Sequence, residues 1–326
     1  MKLRQLEYFV EVARQGMNVT EAANALHASQ PGISSQIKSL EQELGFPVFI
    51  RQGRHLVDLT DAGRDVLTHA IRMLEARDNI KRVAAEVNSP SHGSFHIATT
   101  HTQARYTLPE VVTRFVEKYP NVSLHIQQGT PTQIAEMAVN GDADLAIATE
   151  ALELFEDLVL MPCYRWNRCV LVPEGHELAD SGTLTIEQIA KYPVITYVFG
   201  IAGRSVINQA FKQAGLEMKV VLTATDVEVI KTYVRSGLGI GIIARMAFDP
   251  ERDRPLVALD AGHLFQHSVT SLAVRRNVWL RGYMYDFIEW FAPQLDRPMV
   301  ETFMSCFAKE EMTRLFQKQA MRAAMR

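Results

Sequence analysis

This sequence is poor in cysteine: Cys163, Cys169 and Cys306 are its only three, an odd number without the paired spacing of a structural metal site. A disulfide framework and a metal cluster are thereby excluded as its scaffold, and buried thiols are expected. It also lacks any apolar run long enough to span a bilayer, and its first residues pattern as a polar amphipathic helix instead of a secretory signal. A cytoplasmic chain with no membrane partner is expected. Nor is there an excess of positive charge, since 34 basic and 37 acidic residues leave a net charge of -3. Two catalytic signatures are missing as well. No nucleophile-elbow sequence accompanies His101, Thr102 and Ser205, and no acid partner is evident beside them. The glycines of Ser236-Gly237-Leu238-Gly239-Ile240-Gly241 follow a helical pattern and precede a strand, the reverse of the dinucleotide-binding order, so Gly237 reads as a helix cap. No catalytic residue, cofactor or metal is expected. What remains is 47% hydrophobic over 326 residues, ample for two or three domains.

The first block with a definite pattern is Asn18 to Leu44, which reads as a helix-turn-helix. Asn18 is placed to cap a helix, with Glu21 three positions on to complete a capping box. Ala22, Ala23 and Leu26 supply its apolar stripe. His27-Ala28-Ser29-Gln30 breaks the pattern before Pro31, a residue tolerated in a helix's first turn. Ile33, Ile37, Leu40 and Leu44 then recur at helical spacing. Gln30, Ser34, Ser35 and Lys38 are left on the opposite side, with Ser29 and Pro31 at the helix start. Short hydroxyl and amide side chains without a carboxylate let a helix approach base edges in a major groove. An amphipathic helix pair inside an ordinary core gives the same spacing.

The residues after Gly45 favour the groove. Phe46 to Ile50 reads as a short strand, Arg51-Gln52-Gly53-Arg54 as a glycine turn, and His55 to Leu59 as a second strand, which together form a wing. Arg51 and Arg54 at its tip are placed for phosphates flanking the groove. Over Met1 to Thr60 the bases Lys2, Arg4, Arg14, Lys38, Arg51 and Arg54 are matched by Glu7, Glu11, Glu21, Glu41, Glu43 and Asp58. A neutral domain with a local positive stripe predicts salt-dependent binding through only a few phosphates.

Thr60 is placed as the cap of a long helix, with Asp61 and Asp65 near its positive end. Val66, Ala70, Met73, Arg77, Ile80, Ala84 and Val87 step along it by four and three, a heptad seam interrupted at Arg77. Packing on its own domain is one reading of this seam. Dimerisation is the preferred one, because a winged domain of about 60 residues has little surface to cover so long a seam. Two winged heads on one stalk predict two half-sites on the duplex.

Asn88-Ser89-Pro90-Ser91-His92-Gly93 is a breaker cluster, beyond which strands and helices alternate. Strands are predicted at Ser94 to Thr99, Val122 to Gln127, Leu145 to Thr149, Cys169 to Val172, Val194 to Tyr197, Val220 to Thr225 and Ile240 to Ala244. Helices fall at Arg105 to Lys118, Thr132 to Val139, Ile186 to Ala190, Arg204 to Ala214 and Val227 to Ser236. The order is α/β with mainly parallel sheets, divided into two lobes with a ligand crevice at strand C-terminal ends. Thr99 to Gln103 and Gly129 to Gln133 lie at such ends, and Thr149 closes a third strand. Each threonine is explained singly by helix capping, but their concentration, with no nearby acid, suits a small anion. Gly200 to Ser205 offers another helix start from the second lobe, and Trp166 supplies an apolar wall with an indole donor, or plain interlobe packing.

Winged head, linker helix and two-lobed domain, from Met1 to about Ala292, resemble the LysR-type transcriptional regulators. The segments Ser29 to Ser34, Ala98 to Tyr106 (ATTHTQARY), Gly129 to Ala135 (GTPTQIA), Ala146 to Ala151 (AIATEA), Val229 to Val234 (VIKTYV) and Tyr283 to Ile288 (YMYDFI) resemble the CysB branch, including its Cbl-like members. The resemblance implies a winged helix-turn-helix at 1–60, a linker dimerisation helix at 61–88 and a periplasmic-binding-protein-like effector domain at 93–292. Lobe I would take 93–163 and 267–292, lobe II 164–266, with a C-terminal helical tail at 293–326. It further implies a homotetrameric activator on double-stranded promoter DNA. Such proteins govern sulfate or sulfonate uptake and cysteine synthesis, and respond to sulfate, O-acetylserine or N-acetylserine. Carried over by position, Thr100, Thr102, Gln103, Thr149 and Trp166 surround the anion. At Ala202, where the best-matched relatives have threonine, a hydroxyl contact is missing and a backbone amide is left. One hydrogen bond to a charged ligand is worth about 1.5–3 kcal/mol, enough to weaken an anion or favour a different one. In the tail, Val300, Phe303, Met304, Phe307, Met312, Leu315 and Phe316 pattern as amphipathic helices that pack within the oligomer, ending in basic Lys318, Arg322 and Arg326. A solute-binding protein for a small anion is the competing class, opposed by the N-terminal block. A LysR-type regulator of another pathway is the nearer alternative.

Overall fold

The computed structural model describes the chain apart from residues 54, 202, 307, 308 and 326 and the side chain of residue 309. It divides into two units, Met1–Asn88 with Asn277–Trp279, and Ser89–Arg276 with Leu280–Arg326.

The first unit contains α1 (Leu3–Arg14), α2 (Val19–Ala25), α3 (Gln30–Leu44), β1 (Phe49–Gln52), β2 (His55–Leu59) and α4 (Asp61–Asn88). Leu6, Phe9 and Val12 of α1 meet Ile33, Ile37 and Leu40 of α3 and Val48, Phe49 and Leu59 of the wing in one small core. Asn18 caps α2 by accepting from the amides of Thr20 and Glu21 at 3.0 and 3.2 Å, and no reciprocal bond from Glu21 is found among the described residues. Ser29 caps α3, which ends on Gly45 in the left-handed conformation.

The wing starts later than its sequence suggests. Pro47 has no amide to give, and the amides of Val48 and Phe49 donate to the carboxylate of Glu41, so the ladder runs only from Phe49 to Gln52. Gln52 faces His55, which puts Arg51 inside a strand instead of at the turn.

Helix α4 is unbroken over 28 residues, with Thr60 accepting from Gly63 at 2.9 Å. A Cβ at Gly63 would lie 2.1 Å from the carbonyl oxygen of Val48, so only glycine lets this helix start against the wing. The expected seam divides in two. Val66 and Ala70, with Leu67, Ile71 and Leu74, pack on their own domain, while Met73, Ile80, Val83 and Val87 are exposed, the last by 78%. Arg77 at the boundary is ion-paired to Glu7 and Asp78. Intradomain packing thus explains the first half of the seam and leaves only the second half for a partner helix.

The second unit begins with β3 (Gly93–Thr99), α5 (His101–Tyr106), α6 (Pro109–Lys118), β4 (Val122–Gln128), α7 (Pro131–Asn140), β5 (Leu145–Ala148) and β6 (Leu158–Trp166). It continues with β7 (Arg168–Pro173), α8 (Ile186–Ile189), β8 (Val194–Tyr197), α9 (Arg204–Gln213), β9 (Val220–Ala224), α10 (Val227–Arg235), β10 (Ile240–Ala244), β11 (Leu256–Asp260) and β12 (Ser268–Arg275). It ends with α11 (Gly282–Phe291), α12 (Arg297–Ser305) and α13 (Lys309–Arg322).

Two five-stranded sheets result, ordered β4-β3-β5-β12-β6 and β11-β7-β10-β8-β9. The expectation of mainly parallel sheets is corrected: each is half parallel and half antiparallel, because β12 and β6 join the first and β7 and β11 the second as antiparallel strands. The chain crosses between sheets at Asn167, since Trp166 still pairs with Ser268 in the first sheet. Tyr164 and Trp166 therefore belong to the first lobe, beyond the crossover expected after residue 163. Thr107 and Leu108 separate α5 from α6, where one helix was expected, and Pro109 opens the second.

The tail folds onto its own chain. Val300 and Phe303 are buried, the amide of Arg165 donates to the carbonyl of Ala324 at 2.8 Å, and Met325 bridges Arg165 beside the margin of β6. Phe307 and Arg326 lie outside the described residues. All three cysteines are buried, and none forms a disulfide.

Candidate functional site

On α3 the buried Ile33, Ile37 and Leu40 fix the rotation of the helix, leaving Gln30, Pro31, Ser34, Ser35 and Lys38 exposed along its other side. Ser29 is exposed too, but its hydroxyl accepts from the amide of Gly32 at 3.3 Å and serves the helix start. Arg51 is ion-paired to Glu41 at 2.6 Å, and the same carboxylate holds the amides of Val48 and Phe49. Glu41 thereby ties the wing to α3, a role the sequence did not announce. Arg54 lies outside the described residues.

In the second unit, Thr100, Thr102, Gln103, Thr149 and Trp166 share one cavity, closed by Pro131 and by Ile201, Ala244 and Met246 from the other lobe. Ala202 lies outside the described residues. The cavity has a volume of about 10 Å³, room for roughly one water. Its donors differ in how far they are engaged. Thr100 sits at the cap position of α5 yet makes no side-chain cap bond, whereas Thr130, at the start of α7, is engaged in a capping box with Gln133. Trp166 is 1% exposed and its Nε1 has no hydrogen-bond partner among the described residues. A buried donor left unmade costs about 1–3 kcal/mol, so this N–H is available to an acceptor in the pocket.

Gln103 is more tightly held than its sequence suggests. Its Nε2 donates to Thr270 at 3.1 Å, and its Oε1 accepts from Thr107 at 2.7 Å and from Tyr164. Thr149 lies 3.3 Å from the same Thr270 hydroxyl. Thr102 lies beside the hydroxyl of Tyr197, which accepts from the amide of Ala244 at 3.4 Å. Burial, above all, pushes the Tyr197 phenol up, so it stays protonated. Thr270 and Tyr197 escaped sequence reasoning because each reaches the site from a distant segment, and Tyr164, two residues before Trp166, because its hydroxyl meets Gln103 only through the packing of β6. Only their place on strands was a usable signal.

Arg168 stitches the crossing strands together. It donates to the carbonyls of Gln266 and Gly203 at 3.0 and 3.2 Å and to Ser268 at 2.6 Å, and stacks on Trp166 at 4.6 Å. Burial lowers its pKa to about 10. A Cβ at Gly203 would fall 1.6 Å from the guanidinium, so glycine is required there.

Glu150, one residue beyond Thr149, reaches across to α9, accepting from the hydroxyl of Ser205 at 3.2 Å. The helix start that the sequence reading offered to an anion is thus already faced by a carboxylate. A second interlobe contact joins α5 to α10: Tyr106 donates to Glu228 at 2.5 Å, and Lys231 contacts Tyr106, Glu228 and Asp253 at 3.1, 2.9 and 2.8 Å. Each contact has a first-lobe partner close in sequence to a pocket residue, Glu150 beside Thr149 and Tyr106 on the helix of Thr102 and Gln103. Among the described residues no group of His, Cys, Asp and Glu is arranged to hold a metal, and no helix is long and apolar enough to cross a membrane.

Comparison with known proteins places this geometry. Residues 3–64 match the bacterial regulatory helix-turn-helix proteins of the LysR family, and residues 88–296 match the LysR substrate binding domain. The HTH-type transcriptional regulator CysB of Haemophilus influenzae is 53% identical over 301 residues, 92% of this chain and 93% of that protein. The regulator SsuR of Burkholderia cenocepacia is 51% identical over 296 residues, 91% and 96% of the two chains. The crystal structure of the cofactor-binding domain of the Cbl transcriptional regulator matches with a TM-score of 0.64 at 44% identity, covering 66% of this chain and 95% of that one. With both its helix-turn-helix and its two-lobed unit accounted for, the chain belongs to the LysR family of DNA-binding transcriptional regulators, beside CysB, SsuR and Cbl.

Proposed function

We propose that this protein regulates sulfur-assimilation genes, among them those for sulfate or sulfonate uptake and cysteine synthesis. In this reading α3 enters the major groove of promoter DNA through Gln30, Pro31, Ser34, Ser35 and Lys38, with Ser29 and the wing arginines Arg51 and Arg54 against phosphates. The protein is cytoplasmic, assembles as a homotetramer and catalyses no reaction.

One observation carries the effector half of the proposal: a buried cavity lined by hydroxyl, amide and indole groups, with an uncommitted Thr100 hydroxyl, an unpartnered Trp166 N–H and, among the described residues, no ionisable side chain in its wall. Neutral donors converging in a site with no competing charge in its wall suit a small oxyanion, each hydrogen bond to the charged ligand contributing about 1.5–3 kcal/mol. Sulfate, N-acetylserine and O-acetylserine are the candidate effectors. A cavity of about 10 Å³ admits a tetrahedral anion only if the lobes part or shift, so ligand binding and lobe angle are coupled. That change of angle alters the spacing of the winged heads in the tetramer and hence the DNA bend.

The test pairs calorimetric titration of the full-length protein with a gel shift on the promoter region of sulfur-uptake genes. Thr102→Val is expected to weaken anion binding about tenfold or more while leaving basal promoter affinity intact. An unchanged titration removes Thr102 from the site, and a protein that ignores both anion and duplex defeats the whole proposal.

A further inference from the structure

We propose that a groove on the second lobe, along α9, binds a small organic oxyanion, its acidic head against Arg204 and Asn208 and its apolar tail along Phe211 and Leu216. The groove shares no lining residue with the cavity between the lobes, and the inference stands apart from the effector reading of that cavity.

Helical spacing builds the groove. Arg204, Asn208, Phe211 and Lys212 recur at the intervals that put side chains on one side of α9, and Leu216 and Met218 of the following loop close a space of about 490 Å³ against them. That size is ordinary for a small-molecule site.

Arg204 is the anomaly in it. The residue is 4% exposed, and its Nε and Nη1 are buried with no hydrogen-bond partner among the described residues. Burial lowers its pKa, and no neighbouring carboxylate acts to raise it. Its place is unfavourable too, because it is the first residue of α9, where the helix dipole repels a cation and the first turn contains no acid. The ring of Phe199 lies 5.5 Å from the guanidinium but is itself 73% exposed, and such a contact replaces neither missing hydrogen bond. A buried cation with two unmade donors destabilises the free protein, and an anion arriving beside it supplies both the charge and the acceptors.

The surrounding charges leave Arg204 unmatched. Glu217 is the one acid among the described lining residues, and it is exposed, as is Lys212, which balances it. Glu150 faces the start of α9 through Ser205, but the cation acting on it is Arg168, and no ion pair joins it to Arg204. Arg168, directed at the carbonyls of Gly203 and Gln266, adds positive charge behind the same turn. Asn208, half-buried one turn along α9, offers an amide donor for the head, while Phe211, Leu216 and Met218 offer apolar surface. The ligand class follows as a carboxylate, phosphonate or phosphate monoester with an apolar substituent.

Phenylphosphonate is the probe, since its ring makes it far larger than the interlobe cavity of about 10 Å³. It is titrated calorimetrically into full-length wild type, Arg204→Met and Lys212→Glu, and each protein is melted with and without it. Wild type is expected to bind one equivalent per chain and to melt higher in its presence. Arg204→Met should weaken binding about tenfold or more, and Lys212→Glu about fivefold. Without the probe, Arg204→Met should melt no lower than wild type, because methionine replaces an uncompensated buried charge, whereas an arginine held for structure would take stability with it. Lys212→Glu changes an exposed position and decides the matter should Arg204→Met fail to fold. No binding by wild type, an isotherm that neither substitution alters, or a lower melting temperature of Arg204→Met with binding intact would overturn the proposal. So would dissociation of the Arg204→Met oligomer in sedimentation while wild type ignores the probe, which would assign the groove to a contact between subunits.

Discussion

The recognition face of α3 and the cavity between the two lobes are built in opposite ways. On α3, five exposed side chains stand free on a helix whose rotation is fixed by three buried neighbours. In the cavity the groups are divided: Gln103 is held by Thr270, Thr107 and Tyr164 and Thr149 by Thr270, while the Thr100 hydroxyl and the Trp166 N–H stay open among the described residues. A groove reader must adapt its side chains to base edges, whereas a selective pocket needs its donors fixed before the ligand arrives. Substitutions should therefore be local on α3 and propagate around the cavity.

The largest effect that can break this contrast lies behind the pocket. Lys231 is 1% exposed and ion-paired to Asp253 and Glu228, so Lys231→Met strips the buried Asp253 carboxylate of its buried partner and leaves it only the partly exposed Arg235 at 3.3 Å. A loss of about 3–5 kcal/mol in urea unfolding is expected, and a loss below about 1 kcal/mol would show that the network is not a structural unit. On the other side of the comparison, Gln30→Ala should cost about 1–3 kcal/mol of promoter binding and relax base selectivity at one position. Lys38→Ala should weaken all duplexes alike and flatten the salt dependence. Neither change should move the melting temperature. Gel shifts that reveal equal affinity and selectivity would remove α3 from the groove.

The smallest effect concerns acid. Burial pushes the Glu228 carboxyl up, but hydrogen bonds from Tyr106 and Lys231 more than offset this and leave it below its ordinary range. A carboxylate depressed in the folded state contributes stability above its unfolded pKa, and this is lost as pH falls through the folded value. Glu228→Gln should thus lower stability at neutral pH and flatten the acid limb of the stability curve. A limb of unchanged steepness would show that the ion pair is solvated in the folded state.

What was legible in the sequence divides in the same way. Asn18, Ser29, Pro31 and the Ile33–Ile37–Leu40 spacing act within a few residues of one another, and the helix-turn-helix could be read from them directly. Thr100, Thr102, Gln103, Thr149 and Trp166 also meet as expected, since they sit at strand ends or just beyond them. Illegible were the contacts made by distant segments. The strand register that brings Ser268 opposite Trp166 and Thr270 beside Gln103 is set by pairing between β6 and β12, more than 100 residues apart. The half-parallel sheets were missed for that reason, because β6, β11 and β12 carry too little local signal to separate them from loops. Arg51 was misplaced because Glu41, ten residues upstream, takes the amides that would have begun the wing sooner.

The docking of the last residues against β6 has a practical corollary for handling the protein. β6 is an outermost strand of its sheet, and Ala324 supplies the acceptor for the backbone N–H of Arg165. Shortening the chain after α12 would strip that acceptor and bare a raw margin of ladder, the kind of surface onto which stray polypeptides polymerise. Truncated effector fragments should precipitate where the intact chain stays in solution, and purification handles belong at the amino end.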